Sequence, residues 1–599
     1  MSSARRLSCV RSPTEASGLC SARRPRRFVY HAGLPDSAGS RPGGRNRGSM
    51  LTRNRTPWNA PRRLPAAWTA CAVCAACVVP CILLSAGCMV GPDYVRPDAA
   101  LNEAWLASSA TDDARSQVNA RWWENFQDPT LTELVQTACR QNLSLRAAGL
   151  RVLEARAARG IAVGQFFPQL QEAFGSIDNN RLSANDALSS ADRSFSTDSL
   201  GLQAAWELDF WGKFRRGIES ADATLLQTVA DYDAVLVSLA ADVATNYILI
   251  RSLQERLAYA RANVTLQSET LALTQTRFKA GAVSELDVTT ARATLANTQA
   301  LIPDLENALR QTTLALCILL GRPPSELEYE LAPAEGRSAA LPDAPPSIAA
   351  GIPADLLRRR PDVRAAERFA AAQSARIGQA VADLYPSISI AGSTAFASST
   401  FEGTRNPDLG DMFDADSFEG FIGLGFNWPI LNYGRIRGNI QVRDARYEQA
   451  VAAYQETVLR AAGDVEAGLS EFLRSRERSA HLVEAVNASE RGVELSLIQY
   501  RAGAVDFIRV NDAQSALVEQ QDSLVIARAS TALGAVRTYR ALGGGWEIRE
   551  GREFVDQATV ERMRARTNWG DVTDPGWDEG KDLGFTRPAL DSSHPGAER

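Results

Sequence analysis

Histidine is almost missing from this chain of 599 residues: only His31, His481 and His594 occur, far apart. Imidazole acid–base chemistry and most zinc sites therefore lack their raw material. Neither charge is in excess, since 70 Asp and Glu face 65 Lys and Arg for a formal net charge of -5. Without a broad basic field, nucleic acid is not an expected partner. The sequence has no Gly-x-Ser-x-Gly elbow and no phosphate-cradling loop, and His481 falls in an Arg/Glu-rich helical stretch that reads as solvated surface. The expectation is a protein that is not an enzyme and uses neither cofactor nor metal. With 45% apolar residues it is also too apolar to stay unfolded.

Cysteine is scarce where it would count. Of the nine, Cys9, Cys20, Cys71, Cys74, Cys77, Cys81 and Cys88 lie at the amino end, and only Cys139 and Cys317 lie beyond. The run Cys71, Cys74, Cys77, Cys81 has cluster-like spacing, yet it sits inside an uncharged stretch, 64–87, preceded by Arg53, Arg55, Arg62 and Arg63. A basic region, an apolar core and small residues read as a secretory signal over 50–87, and a removed segment holds no metal. The stretch closes on Leu84-Ser85-Ala86-Gly87-Cys88, which resembles a bacterial lipoprotein cleavage box with Cys88 as lipid attachment site, although Ser85 replaces the more usual larger aliphatic residue. The alternative is an uncleaved anchor, because the run approaches spanning length; Pro80 and the small residues weigh against it. Met89, rather than the aspartate that retains many lipoproteins at the inner membrane, points to the outer membrane. Residues 1–49, Arg-rich and without apolar periodicity, read as an extension upstream of a start at Met50.

The body of the chain is written twice. Phe278-Lys279-Ala280-Gly281-Ala282-Val283 matches Tyr500-Arg501-Ala502-Gly503-Ala504-Val505, and the same offset relates Trp206 to Trp428 and Leu320-Gly321 to Leu542-Gly543. Phe167-Pro168 matches Tyr385-Pro386 at a slightly smaller offset, so the second copy gains a few residues between its two halves, which we place in a loop.

Each copy mixes two periodicities. Leu225, Val229, Tyr232, Leu236, Leu239, Val243, Tyr247, Ile250, Leu253 and Leu257 recur at threes and fours, as do Ile436, Ile440, Tyr447, Val451, Tyr454 and Val458. Each series predicts one helix, from just after Gly212 to near Gly281 and from just after Gly434 to near Gly503, about 100 Å long at ~1.5 Å per residue. Return helices are expected over 284–319 and 506–541, with 144–165 and 361–383 stacked end to end on them. A period of two marks strands: Phe418, Gly420, Ile422, Leu424, Phe426, Trp428 and Ile430 in one copy, Leu200, Leu202, Ala204, Trp206, Leu208 and Phe210 in the other, with weaker patterns at Leu384–Phe396 and Phe166–Ile177. A half-buried soluble sheet would alternate likewise. In an exported lipidated chain, however, strands longer than the ~9–11 residues of a tilted membrane strand favour a barrel. Four strands cannot close one, and open edges are not tolerated in lipid, so several copies must share it.

Trp122-Trp123-Glu124-Asn125-Phe126-Gln127-Asp128-Pro129-Thr130-Leu131, the opening Val90-Gly91-Pro92-Asp93-Tyr94, the paired Ala-Gly-Ala-Val turns and the closing Leu542-Gly543-Gly544-Gly545-Trp546 resemble TolC-like outer-membrane efflux proteins. The likeness is greatest to the NodT-type lipoprotein branch serving resistance-nodulation-division pumps. The resemblance implies a mixed fold, a twelve-stranded membrane β-barrel continuing into a long α-helical barrel in a homotrimer. Each protomer would give four strands and two hairpins that pair a continuous helix with a stacked one. It implies a periplasmic adaptor meeting the turns at Gly281 and Gly503, and a periplasmic gate carried over onto Ile508 and Asp512. Asp512 as a solvated carboxylate on a helix face is the plainer reading. The function implied is the exit duct of a tripartite efflux system; a structural or adhesive coiled-coil lipoprotein would need the rods but not the strands. The expected organisation is an upstream extension (1–49), a signal (50–87), a lipidated segment (88–127), a first repeat (128–327), a linker (328–352), a second repeat (353–546) and a disordered tail (547–599).

Overall fold

The computed structural model describes residues 89–102, 104–106, 120–185, 193–325, 327, 331, 341–348, 350, 353–354, 359–401, 412–574 and 577. The lipid-attachment candidate Cys88, the signal, the upstream extension and most of the linker lie outside these residues.

A short 3-10 turn, Trp122–Phe126, leads into α1 (Pro129–Gln141) and α2 (Leu143–Gly164). Strands β1 (Leu170–Arg181) and β2 (Ser194–Leu208) follow, then α3 (Lys213–Lys279) and α4 (Glu285–Leu319). The pattern recurs as α5 (Pro361–Ala382), β3 (Ser387–Ser399), β4 (Phe418–Asn427), α6 (Arg435–Arg501) and α7 (Phe507–Ala541). A last helix, α8, spans Gln557–Arg566. Both long helices have 67 residues and so reach about 100 Å at ~1.5 Å per residue.

The broken partners of these rods are joined by backbone-directed contacts. Asn142 caps α2, its Oδ1 accepting from Leu145 N at 2.8 Å, while its Nδ2 donates to the carbonyl of Leu319 at the end of α4. Arg360, just before α5, donates from Nη1 to the Ala541 carbonyl that ends α7, at 2.7 Å. In each case a helix N-terminus meets the C-terminal carbonyls of another, so orphan acceptors are satisfied and the dipoles run head to tail. The helices α2 and α4 pack on α3, and α5 lies between α3 and α6, with α7 against α6 and α3.

The four strands form one antiparallel sheet in the order β1-β2-β3-β4. Sequence periodicity placed the first strand about four residues early. Phe166 and Phe167 belong to the turn before it, because their rings pack on each other at its foot (5.8 Å between centroids) instead of entering the ladder. The offset between halves also changes inside the sheet. Ala205 and Asn427 hold equivalent places 222 positions apart, but Leu170 and Ser387 only 217. One extra residue, Gln169, accounts for the step from the Pro168/Pro386 match. Its side chain replaces a backbone rung, accepting from Glu207 N at 2.7 Å and donating to Glu207 O at 3.3 Å.

The main core lies where α1, α2, α3, α6 and α7 meet, with the end of α4, around Trp122, Trp123, Leu131, Tyr247, Leu316, Phe472 and Val536. The expectation of a disordered tail from 547 does not hold for its first part. Val555, Val560 and Met563 bury against Leu153 of α2, and Arg156 stands over the ring of Trp577 at 4.6 Å. Apolar residues at i, i+5 and i+8 gave too sparse a pattern to reveal a helix that is only 10 residues long.

Candidate functional site: an exposed apolar band and a helical-turn end

Register decides what each face of the sheet presents. Directly opposed residues in an antiparallel pair share a face. Leu200, Leu202, Ala204, Trp206 and Leu208 of β2 thus lie beside Phe396, Thr394, Gly392, Ile390 and Ile388 of β3, which in turn oppose Phe418, Gly420, Ile422, Leu424 and Phe426 of β4. No charged residue stands in these three rows. The face is open: Ile422 is 82% exposed and Leu424 75%. The opposite face carries Glu172, Gln203, Ser199 and Ser176, with Gln203 donating to Glu172 and a 3.1 Å hydrogen bond between the two serine hydroxyls. Each large aliphatic left in water forgoes about 1.5–3 kcal/mol, so a face of this composition calls for an apolar medium.

An aromatic collar closes the foot of the band. Trp206 Nε1 donates to Phe166 O and Trp428 Nε1 to Leu384 O, both at 3.0 Å. Trp211 stacks on Tyr385, 4.6 Å between centroids, and donates to Pro386 O at 2.9 Å. Such rings, apolar in body with a bonded polar edge, suit the boundary between lipid and water. The amino-terminal segment is fastened at the same level. Val90 N donates to Trp211 O, and the buried guanidinium of Arg216 holds the carbonyls of Val90 and Gly91 (3.3 Å each) and the carboxylates of Asp93 and Glu219 (2.7 Å each). Gly91 needs to be glycine: its φ is +92° and a Cβ would sit 2.4 Å from Gly378 Cα.

At the far end of the rods, Gly281 and Gly503 take φ of +73° and +74°. Each completes the paired 5→2 and 6→1 closure of a helix end: Gly281 N to Phe278 O and Ala282 N to Arg277 O, Gly503 N to Tyr500 O and Ala504 N to Gln499 O. The two turns adjoin. Arg277 lies over the Tyr500 ring at 4.5 Å and donates to the Tyr500 carbonyl, while Tyr500, Phe507, Val510 and Ala291 form a small apolar knot beneath. Ile508 (53% exposed) and Asp512 (exposed) lie one turn apart on the same open face of α7, clear of that knot.

Above the turns the seam between α3 and α7 is polar, a feature that sequence reading missed. Asn263 Nδ2 donates to Gln521 Oε1 and Gln514 Nε2 to Thr270 Oγ1, both at 2.8 Å, and Arg256 pairs with Asp522 through two bonds of 2.6 and 3.2 Å. The available signal was the spacing of Asn263, Gln267, Thr270 and Thr274 at fours and threes on the α3 stripe. Hydrophobic periodicity discards it because the residues are polar. Among the described residues no group of three or more His, Cys, Asp or Glu is placed to hold a metal ion.

The sequence profile of the family described as outer membrane efflux protein matches residues 134–322 and 352–544. The chain belongs to that family. It is 31% identical over 448 residues to the pyoverdine export outer membrane protein OpmQ of Pseudomonas putida, covering 74% of this chain and 92% of the relative. It is 32% identical over 492 residues to nodulation protein T of Rhizobium leguminosarum bv. viciae, covering 82% and 97%. Among solved structures, the outer-membrane channel OprN superposes with a TM-score of 0.70 at 33% identity over 77% of this chain and all of that one. The Campylobacter jejuni channel CmeC shares the fold with a TM-score of 0.71 at 21% identity, covering 79% of this chain. As a family member the chain is an outer-membrane efflux component, a transport protein rather than an enzyme.

Proposed function

We propose that three copies of the chain assemble into one duct through which an inner-membrane pump of the resistance-nodulation-division class, working with a periplasmic adaptor, expels toxic compounds. The open apolar band of a four-stranded sheet carries this reading, because among the described residues both edge strands, β1 and β4, pair on one side only. In lipid an unpaired edge leaves N–H and C=O groups without water, and four strands are too few to close a barrel. Three sheets make twelve strands, and three sets of two paired rods make the helical tube beneath.

The chain's beginning fits the same arrangement. Val90 and Gly91 are held at the aromatic collar, so a lipid on Cys88 would enter the membrane at the boundary the collar marks. Gly281 and Gly503, lying side by side, supply the adaptor-facing turns. Ile508 and Asp512 project from α7 as an aliphatic and an acidic ring around the axis; three carboxylates at a constriction favour cations. The duplication of the sequence accounts for equal rod lengths in both halves. The test is deletion of the chain from its host: susceptibility to toxic compounds rises and is reversed by the wild-type chain, but not by a variant with Cys88→Ala that is mislocalised. Unchanged susceptibility across a panel of antibiotics, solvents and metal ions contradicts the reading.

A further inference from the structure

Resting on the trimeric reading, we infer the residue register by which the free edge of β4 pairs with the free edge of β1 in a neighbouring copy. The chain already contains one junction between its two hairpins, β2 against β3, running from Thr197 opposite Ser399 to Leu208 opposite Ile388. A closed ring of six such hairpins needs the same junction again between copies. Moving from β2 to β4 adds 222 positions, the Trp206/Trp428 spacing, and the two hairpin registers then set the step from β3 back to β1 at 217. Leu202 opposite Thr394 then becomes Leu424 opposite Ile177 of the neighbouring copy. The ladder runs from Gly420 opposite Arg181 to Asn427 opposite Phe174.

Gln169 makes this register differ from the one the sequence match suggests. Carrying over the spacing of Pro168 to Pro386 would set Leu424 against Ser176. That serine shares a face with Ser199, the polar one, whereas Leu424 belongs to the apolar band. Opposed residues share a face, so the one-residue alternative is excluded and the extra residue Gln169, just before β1, absorbs the difference. In the inferred register Leu424 and Ile177, 75% and 76% exposed in the lone protomer, extend the apolar band across the junction.

The collar repeats as well. The counterpart of Trp211 is Tyr433, and the counterpart of Tyr385 is Phe167, both on the Trp206/Trp428 and Pro168/Pro386 spacings. Tyr433 is 96% exposed and Phe167 45%, against a stacked pair inside the chain. Between copies they form the three stacks, half of the ring of six, that a lone protomer lacks.

Cysteine pairs in the full-length protein, oxidised in its membrane, test the register. Leu424→Cys with Ile177→Cys, and Ile422→Cys with Asn179→Cys, are expected to give disulfide-linked dimers and trimers. Leu424→Cys with Ser176→Cys, Leu424→Cys with Asn179→Cys and Ile422→Cys with Ile177→Cys are expected to stay at the level of the single substitutions. Preferential linking of any of these slipped pairs, with trimers intact by native mass spectrometry, overturns the register alone. Absence of trimers overturns the assembly on which it rests. As a second measure, Tyr433→Ala and Phe167→Ala should each lower the temperature at which trimers dissociate in detergent, and the double variant no further than the worse single one; full additivity overturns the stack.

Discussion

Asn142 Nδ2 donates to the carbonyl oxygen of Leu319 across 2.9 Å, joining residues 177 positions apart. The same side chain caps α2 through Leu145 N, so one residue closes two helix ends at once. Asn142→Ala is expected to cost about 1 kcal/mol for the cap and about 1–3 kcal/mol more for the stranded carbonyl. Asn142→Asp keeps the cap but loses the donor, and is expected to fall between the two. Thermal unfolding of the detergent-solubilised protein ranks the three; equal stability of alanine and wild type would refute the double role.

Asp233, fully buried on α3, is held by Arg549 Nε at 2.6 Å with Arg364 at 3.7 Å, and so pins the carboxy-terminal segment to the rod. Removing one partner of a buried pair costs about 3–5 kcal/mol, and Arg549→Met is expected to do so. Burial holds the Asp233 carboxyl above its ordinary value even with Arg549 bonded. A raised acid contributes stability that is full below its unfolded value and lost as pH rises through the folded one. Loss of the cation raises it further, so the defect of Arg549→Met is largest at neutral pH and shrinks on acidification. Limited proteolysis beyond residue 549 at both pH values reads this out; a pH-independent defect contradicts it.

For Asp512, exposed on α7 one turn from Ile508, the acidic-ring reading predicts that Asp512→Ala lowers cation preference and changes single-channel conductance in planar bilayers, with trimers intact. Asp512→Glu retains both. Identical conductance and selectivity across the three proteins removes the gate.

Burial lifts the Cys139 thiol from the usual 9.0 to about 11. The stability tied to its neutral form is therefore full below about 9 and lost as pH rises through 11. At pH 8 its thiolate fraction is about a hundredfold below that of an ordinary thiol, so alkylation should be slow and still climbing at pH 10. A rate that levels near pH 9 would show the site open to water.

Much of the fold was legible because long periodic signals outlast local noise. The rods ended where Gly281 and Gly503 stand, since only a residue free at positive φ closes a helix that way. β4 was legible from strict alternation over Phe418–Trp428, whereas β1 drifted because its alternation is weak and Gln169 inserts a step that no pattern of two contains. The polar seam of Asn263, Gln514 and Gln521 was hidden for a different reason: buried polar residues are recognised by their partners, which lie on another helix more than 240 positions away. The docking of the carboxy-terminal segment was not legible, because its helix is too short and too sparse in apolar residues to announce itself.

Native mass spectrometry of the detergent-solubilised full-length protein tests the account most directly. Three copies per particle is the predicted result. A stable, water-soluble single copy, with its apolar band still exposed, would contradict it.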